Sequence, residues 1–276
     1  MKTIHTLKKV SLATFLTFVL SFSSVFAQND TMYIMKSGAI VGQYNVNTEV
    51  DSVIFYKPTI EETTSGTFID SRDGNEYNWV QIGDQVWMAE NLAYLPSVNM
   101  VADGSEDAAG SYYYVYGYDG TNVADAKATD NYATYGVLYN WTAAMDGEAS
   151  STTNPSGIQG VCPTGWHLPS DAEWTELTDY LGGTSVVGGK LKETGTTHWN
   201  SPNTGATNET GFTALPGGYR RSNGSFLNIG YLGHWWSATE FNTSNAWYRL
   251  MYGYDINVFR NSYNKEVGFS VRCVKD

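Results

Sequence analysis

Cys162-Pro163-Thr164-Gly165-Trp166-His167-Leu168-Pro169-Ser170-Asp171-Ala172-Glu173-Trp174 is the stretch whose reading decides the fold class. Ser170 and Glu173 have the spacing of a capping box, in which each side chain satisfies a backbone N–H at a helix start. Trp174, Leu177 and Leu181 then recur at i, i+3 and i+7, and Gly182 supplies the stop. This predicts a helix over residues 170–181 in a chain whose other signals are mostly short strands.

Upstream, Asp73-Gly74 separates Thr67-Phe68-Ile69 from Tyr77-Asn78-Trp79-Val80, and Gly83-Asp84 separates Val80-Gln81-Ile82 from Val86-Trp87-Met88. Two turn dipeptides between β-forming runs predict a β-meander. A second helix is expected over about 135–145, with Leu138, Trp141 and Met145 on one face and Gly147 beyond its end. Downstream, the best strands are 235–238, 246–250 and 269–273, the last alternating Phe269, Val271 and Cys273 on one face. No internal repeat is visible, which disfavours a solenoid or propeller. The reading is α+β, with two helices and short irregular antiparallel strands.

The N-terminal quarter is organised differently. Lys2, Lys8 and Lys9, an apolar stretch from Val10 to Val19, and Val25-Phe26-Ala27 follow the order of a cleavable secretory signal, residues 1–27. That stretch is too short to span a bilayer, which takes roughly 20 apolar residues, and no later run approaches that length. No membrane span is expected, and no Cys follows the small residues to carry a lipid. The expectation is export to the periplasm, the cell surface or the medium. Residues 28–58 read as a small β unit built on Met32-Tyr33-Ile34-Met35, Ala39-Ile40-Val41 and Val53-Ile54-Phe55-Tyr56. A polar linker follows at 59–66, and the main domain is 67–276.

The net charge of −12 becomes −15 without the signal, which holds three of the 16 Lys+Arg and none of the 28 Asp+Glu. So acidic a surface repels phosphate backbones, which sets nucleic acid aside as a partner. Cys162 and Cys273 are the two cysteines. In an exported chain an even count favours a disulfide over two free thiols, and isolated Cys without a CxxC partner argue against zinc.

Several stretches together resemble the Fibrobacter succinogenes major paralogous domain, a family of exported bacterial modules. They are Trp79-Val80-Gln81-Ile82-Gly83-Asp84-Gln85-Val86-Trp87-Met88-Ala89-Glu90-Asn91-Leu92, Tyr135-Gly136-Val137-Leu138-Tyr139-Asn140-Trp141, the opening Cys162–Trp174 segment and Gly268-Phe269-Ser270-Val271-Arg272-Cys273-Val274, in the family's order over about 66–276. The broader similarity is to the C-type-lectin-like fold and its formylglycine-generating branch. That resemblance implies a long-range disulfide between a helix-region Cys and a strand near the chain end, which suits Cys162 and Cys273. It leaves no thiol for the reactive pair of the oxidase relatives. The fold itself does not name an activity.

Candidate chemistry is sparse. Asp171, Glu173, Glu176 and Asp179 crowd one helix, but first-turn carboxylates suit the helix dipole and Glu173 is the capping partner, so a structural role outweighs paired glycosidase acids. His167, His198 and His234 lack metal-ligand spacing. Asp103, Glu106, Asp107, Asp119, Asp125 and Asp130 offer hard oxygens to calcium, yet they miss the EF-hand spacing, which favours a solvated acidic loop over a calcium site.

The last 50 residues are the most informative. The candidate ligand-binding set is Tyr231, His234, Asn242, Asn245, Trp247, Arg249, Tyr252, Tyr254, Asp255, Asn257 and Arg260, with the Asn and Tyr residues at 252, 254, 257, 261 and 263 as a display surface. Rigid rings add contact area cheaply and amides adapt their hydrogen bonds. Trp235, Trp236 and Trp247 have the competing reading of core. The expectation is a non-enzymatic module that binds carbohydrate or a protein partner through this C-terminal surface. The rivals are an enzyme acting on glycans or glycoproteins, and a structural or adhesive surface module. The same composition is found where C-type-lectin-like proteins are diversified by error-prone reverse transcription at adenines.

Overall fold

The computed structural model describes residues 31–36, 39–45, 48, 64–104 and 107–276. The expected signal, the strand expected at 53–56 and Glu106 lie outside them, as does most of the linker. The chain divides into two compact units, 1–62 and 63–276.

In the first unit, Thr31–Lys36 (β1) pairs antiparallel with Ala39–Asn45 (β2), with a register irregularity at Ile34/Met35. The second unit opens on the expected meander: Ser65–Ile69 (β3), Glu76–Ile82 (β4) and Gln85–Met88 (β5). Gly74 and Gly83 take φ of +78° and +63° at the two turns, a region that glycine enters without steric cost. Trp166–His167 (β8) and Val274–Lys275 (β14) complete a five-stranded sheet in the order β3-β4-β5-β14-β8.

Smaller pieces lie between. They are Tyr113–Tyr114 (β6) paired with Leu138–Tyr139 (β7), and the helices Val123–Lys127 (α1), Asp130–Tyr135 (α2), Trp141–Met145 (α3), Asp171–Tyr180 (α4) and Val187–Leu191 (α5). Gly217–Arg220 (β9) pairs with Phe226–Ile229 (β10), and Leu232–Glu240 (β11), Asn245–Tyr252 (β12) and Val258–Asn264 (β13) form an antiparallel sheet in chain order. The architecture is α+β. Among the described residues no helix is long and apolar enough to cross a membrane.

The capping box is present. Ser170 Oγ accepts from Glu173 N at 3.1 Å, and Glu173 Oε2 accepts from Ser170 N at 2.9 Å. Helix α4 buries Trp174 and Leu177 in an aromatic core, where Trp174 lies 4.5 Å from Trp87, 6.1 Å from Phe212 and 6.5 Å from Trp235, centroid to centroid.

The helix expected over 135–145 is instead α2, β7 and α3. Gly136 has φ +71°, and a Cβ there would come within 2.7 Å of the Leu92 carbonyl, so the chain must turn against its neighbour. Asn140 Oδ1 then accepts from Ala143 N at 3.0 Å and starts α3. The strand expected at 269–273 is also irregular: single bridges join Gly268 to Arg220, Phe269 to Tyr139 and Ser270 to Trp235. Its alternation does not mark a solvent face, because Ser270 and Arg272 are as buried as Phe269, Val271 and Cys273.

Cys162 and Cys273 are joined, 111 residues apart and both buried. Closing a loop of this length contributes about 4–5 kcal/mol in the chain-entropy account. One residue away, buried Arg272 donates to the carbonyls of Phe212 and Thr213 and to Asn91 Oδ1, and its guanidinium stacks 4.1 Å from the Phe212 ring centroid. Arg220 is likewise buried and donates to the carbonyls of Val101, Asp103 and Glu266. Main-chain oxygens thus satisfy two buried cations that pin distant loops together.

Candidate functional site

The pleat of the β11–β12–β13 sheet sorts the C-terminal residues. Tyr248 stands opposite Trp236 and Asn261, and Leu250 opposite His234 and Phe259; the alternate residues of β12, Trp247 and Arg249, stand opposite Ser262 and Arg260. Successive side chains leave opposite faces, so one set of candidates becomes two.

On the first face, the His234 ring stacks 4.7 Å from Phe269 and lies 4.8 Å from Tyr219 and 5.8 Å from Tyr248. Burial pushes its pKa down to about 3, although one ring nitrogen bonds the Gly218 carbonyl. The imidazole is therefore neutral, and its Nδ1 has no hydrogen-bond partner among the described protein groups. Above it, burial raises the Tyr248 phenol to about 12 against the opposing effect of its hydrogen bond with Asn261. Tyr219, Tyr252 and Tyr263 all act electrostatically on that phenol, so four tyrosines gather on this face. Burial also raises Tyr219 and Tyr252, which keeps these hydroxyls as neutral donors and acceptors. Tyr252 lies 4.9 Å from Tyr254 and 5.1 Å from Phe259. Outward, Tyr231, Tyr254 and Tyr263 are 54%, 62% and 38% exposed.

The β12–β13 loop that carries Tyr254 is clamped from below. Buried Lys192 donates from Nζ to the carbonyls of Thr204, Tyr252 and Asp255 at 3.0, 3.1 and 2.7 Å. Burial lowers its pKa to about 8. Asp255 Oδ1 accepts from Asn257 N at 3.0 Å, so these two candidates shape the turn. At the other end of the hairpin, Asn242 Oδ1 accepts from the backbone N–H groups of Ser244 and Asn245 at 2.9 Å each.

On the second face, Arg249 Nη1 donates to Asp171 Oδ1 at 2.6 Å, and Nη2 donates to the Asp171 carbonyl and Thr175 Oγ1. Arg260 grips the same carboxylate through Nε and Nη2, and its guanidinium lies 3.6 Å from the Trp247 ring centroid. Burial alone would raise the Asp171 pKa, but the two guanidiniums outweigh it and hold the carboxyl below its usual value.

The structure thus divides the eleven candidates. Tyr231, Tyr252 and Tyr254 present surface on or beside the tyrosine face. His234 and Arg249, 5% and 1% exposed, are removed from the contact set because neighbouring rings and α4 cover them. Trp247 and Arg260 belong to the second face, and Asn242, Asn245, Asp255 and Asn257 lie in or beside the turns at the hairpin's two ends. Tyr219, from the β9–β10 hairpin, and Phe259 join the face without having been singled out. Strand alternation gives a sequence signal for Phe259 but none for Tyr219.

The carboxylates also have partners. Glu173 accepts from Ser156 N at 2.9 Å and faces His167 Nε2 at 2.6 Å, while His167 Nδ1 faces Asp276 at 2.8 Å. Burial opposes protonation of His167, but the two carboxylates prevail and raise its pKa. Asp103 and Asp119 accept from Met100 N and Val101 N, Asp107 from Ala109 N and Tyr112 Oη, and Asp125 and Asp130 lie in the first turns of α1 and α2. Among the described residues no three His, Cys, Asp or Glu come together as cation ligands.

Residues 80–275 match the family model described as the Fibrobacter succinogenes major domain. No curated protein and no solved structure matches the chain.

Proposed function

The chain belongs to the Fibrobacter succinogenes major domain family, and from that premise we propose that it is a non-enzymatic binding module of the exported bacterial surface, with the tyrosine face of β12 and β13 as its contact surface. The observation that carries this reading is the gathering of Tyr219, Tyr252 and Tyr263 beside Asn261, around the buried Tyr248 ring and above a neutral buried imidazole. Tyr254 and Tyr263 extend it into solvent. Rigid phenols with neutral hydroxyls give apolar area and hydrogen bonds at little entropic cost, as recognition surfaces for proteins and glycans require. The carboxylates that an enzyme acting on glycans would recruit are engaged: Asp171 with two arginines, Glu173 with His167 and the helix cap. The C-type-lectin-like fold belongs to the same proposal, supported by the disulfide from the segment before α4 to the chain end.

A glycan-array screen with and without calcium, run beside an array of cell-surface proteins from the same envelope, tests the reading. Selective binding lost on Tyr254→Ala with Tyr263→Ala supports it, and the array that responds names the ligand class. Binding that survives both substitutions, or silence on both arrays, overturns it.

A further inference from the structure

The two edges of the five-stranded sheet are finished differently. At one edge β8 is only two residues long, Trp166 and His167 are both buried, and Pro163 and Pro169 lie on either side of it. Short strands, prolines and charges are the means by which sheets blunt an edge against further pairing. At the other edge β3 is five residues long and holds neither proline nor charge. It pairs with β4 from Ser65 opposite Val80 to Ile69 opposite Glu76 without a bulge.

Hydrogen bonding fixes which way each main-chain group of this edge points. Gln81 N donates to the Thr64 carbonyl at 2.7 Å and Asp70 N to the Asn75 carbonyl at 2.8 Å, so residues 64 and 70 face β4. Bonded residues alternate along an antiparallel ladder, so Gly66 and Phe68 face β4 as well, while the N–H and C=O groups of Ser65, Thr67 and Ile69 point away from the sheet. Among the described residues no strand lies beyond them. All three residues are exposed, Ile69 by 66%.

The two faces beside the edge differ in chemistry. On the face shared by Ser65, Thr67 and Val80, two depressions of about 390 and 450 Å³ follow β3 and have Ser65, Val80 and Gly211 in common. Glu90 lines one and Glu209 the other, and Glu76 stands opposite Ile69. Lys190 pairs with Glu209 at 3.2 Å, which leaves the strip acidic on a chain of net charge −12. On the other face, Gly66 lets the Trp79 indole lie against β3, and the Phe68 ring stacks 4.3 Å from Trp166. Phe68 and Trp79 are both half-buried.

We propose that β3 is a docking edge for an extended segment of a partner protein in which basic and apolar residues alternate. The segment adds to the sheet as a further strand and exchanges main-chain hydrogen bonds with Ser65, Thr67 and Ile69. Successive side chains of a strand leave opposite faces, so its basic residues lie along Glu76, Glu90 and Glu209 while its apolar residues cover Phe68 and Trp79. A second copy of this chain is the poorer occupant, because it brings the same acidic strip to the contact and like charges oppose pairing.

The probe is a short, end-blocked peptide of alternating lysine and valine, with alternating glutamate and valine as its control, titrated at low salt into isotope-labelled protein. The lysine peptide is expected to slow amide exchange at Ser65, Thr67 and Ile69 far more than at Gly66 and Phe68, whose N–H groups are already bonded to β4. The glutamate peptide should bind at least about 10-fold more weakly. Thr67→Pro removes the central outward N–H without touching a bond to β4, a change that an edge strand tolerates, and abolishes binding. Thr67→Val keeps the main chain and binds as the parent does, and Glu76→Gln weakens the lysine peptide about 2- to 5-fold. Failure of the lysine peptide to bind, binding without the alternating protection, equal affinity for the glutamate peptide, or binding that survives Thr67→Pro overturns the proposal. So does a free protein that sediments as a dimer with its Thr67 amide already protected, since the edge would then belong to a second copy.

Discussion

On one face of the β11–β12–β13 sheet, Arg249 and Arg260 are tied to Asp171, with the Trp247 ring against Arg260; on the other, Tyr248, Tyr252 and Tyr263 gather above His234. The residues come from the same two strands and alternate along them. What separates them is what lies opposite. Helix α4 brings a carboxylate to the arginines, and a buried charge must be paired or the fold loses several kcal/mol. The tyrosines meet mainly other rings and the Asn261 amide, and a phenol keeps donor and acceptor capacity after its ring is packed. The clamped face therefore serves stability, while the tyrosine face retains unused recognition chemistry.

The sharpest way to break this comparison is Asp171→Asn, which strands the charge of fully buried Arg249. The expected loss is about 3 kcal/mol, a fall in Tm of about 6–12 °C for a unit of this size by calorimetry. Adding Arg249→Met should restore part of it, because an apolar side chain needs no partner. A single variant that melts like the parent would show that the clamp is not structural.

Next in size is Lys192→Met, which leaves three carbonyls under the tyrosine loop without their donor. A loss of about 2 kcal/mol is expected, with faster hydrogen exchange at 252–257 than elsewhere in the sheet. Uniform exchange would detach Lys192 from the loop's order.

The same lysine gives a signed pH dependence. Its pKa falls from 10.5 to about 8 on folding, so between those values the unfolded chain holds more protons. Its contribution to stability rises as pH rises through that window. Urea melts at pH 8 and pH 10 should show parent protein gaining relative to Lys192→Met, and the opposite trend contradicts the assignment.

The smallest stability effect belongs to Tyr254→Ala, within about 0.5 kcal/mol of the parent because the ring is mostly in solvent. Its effect on ligand capture should nonetheless be large. Destabilisation well beyond that value would place Tyr254 with the structural residues.

The legible parts of the fold share one property: each is decided by residues close together in the chain. The Ser170/Glu173 cap and the turns at Gly74 and Gly83 form where their spacing requires. The expectation over 135–145 failed because Leu138, Trp141 and Met145 are all buried, as a helical face would be, while the Leu92 carbonyl forces a turn at Gly136 that no local pattern records. Arg272 is likewise placed by distant groups, the Thr213 carbonyl and the Phe212 ring, of which the neighbouring sequence holds no record. The aromatic and Asn-rich composition of the C-terminal segment is visible in the sequence; the packing of Tyr219 against it is not, because Tyr219 arrives from another hairpin.

By itself, the sequence determined the α+β class, the helix start at Ser170, the meander at the head of the second unit and the pair of cysteines available for a crosslink. Capping, turn formation and period follow from hydrogen bonds and sterics over a few residues. Only the tertiary structure decided that His234 and Arg249 are buried, that Asp171 is shared by two arginines, and that the Tyr180 ring rests on the Gly83 turn. Burial and charge pairing depend on which distant side chains close over a residue, and local spacing carries no record of them.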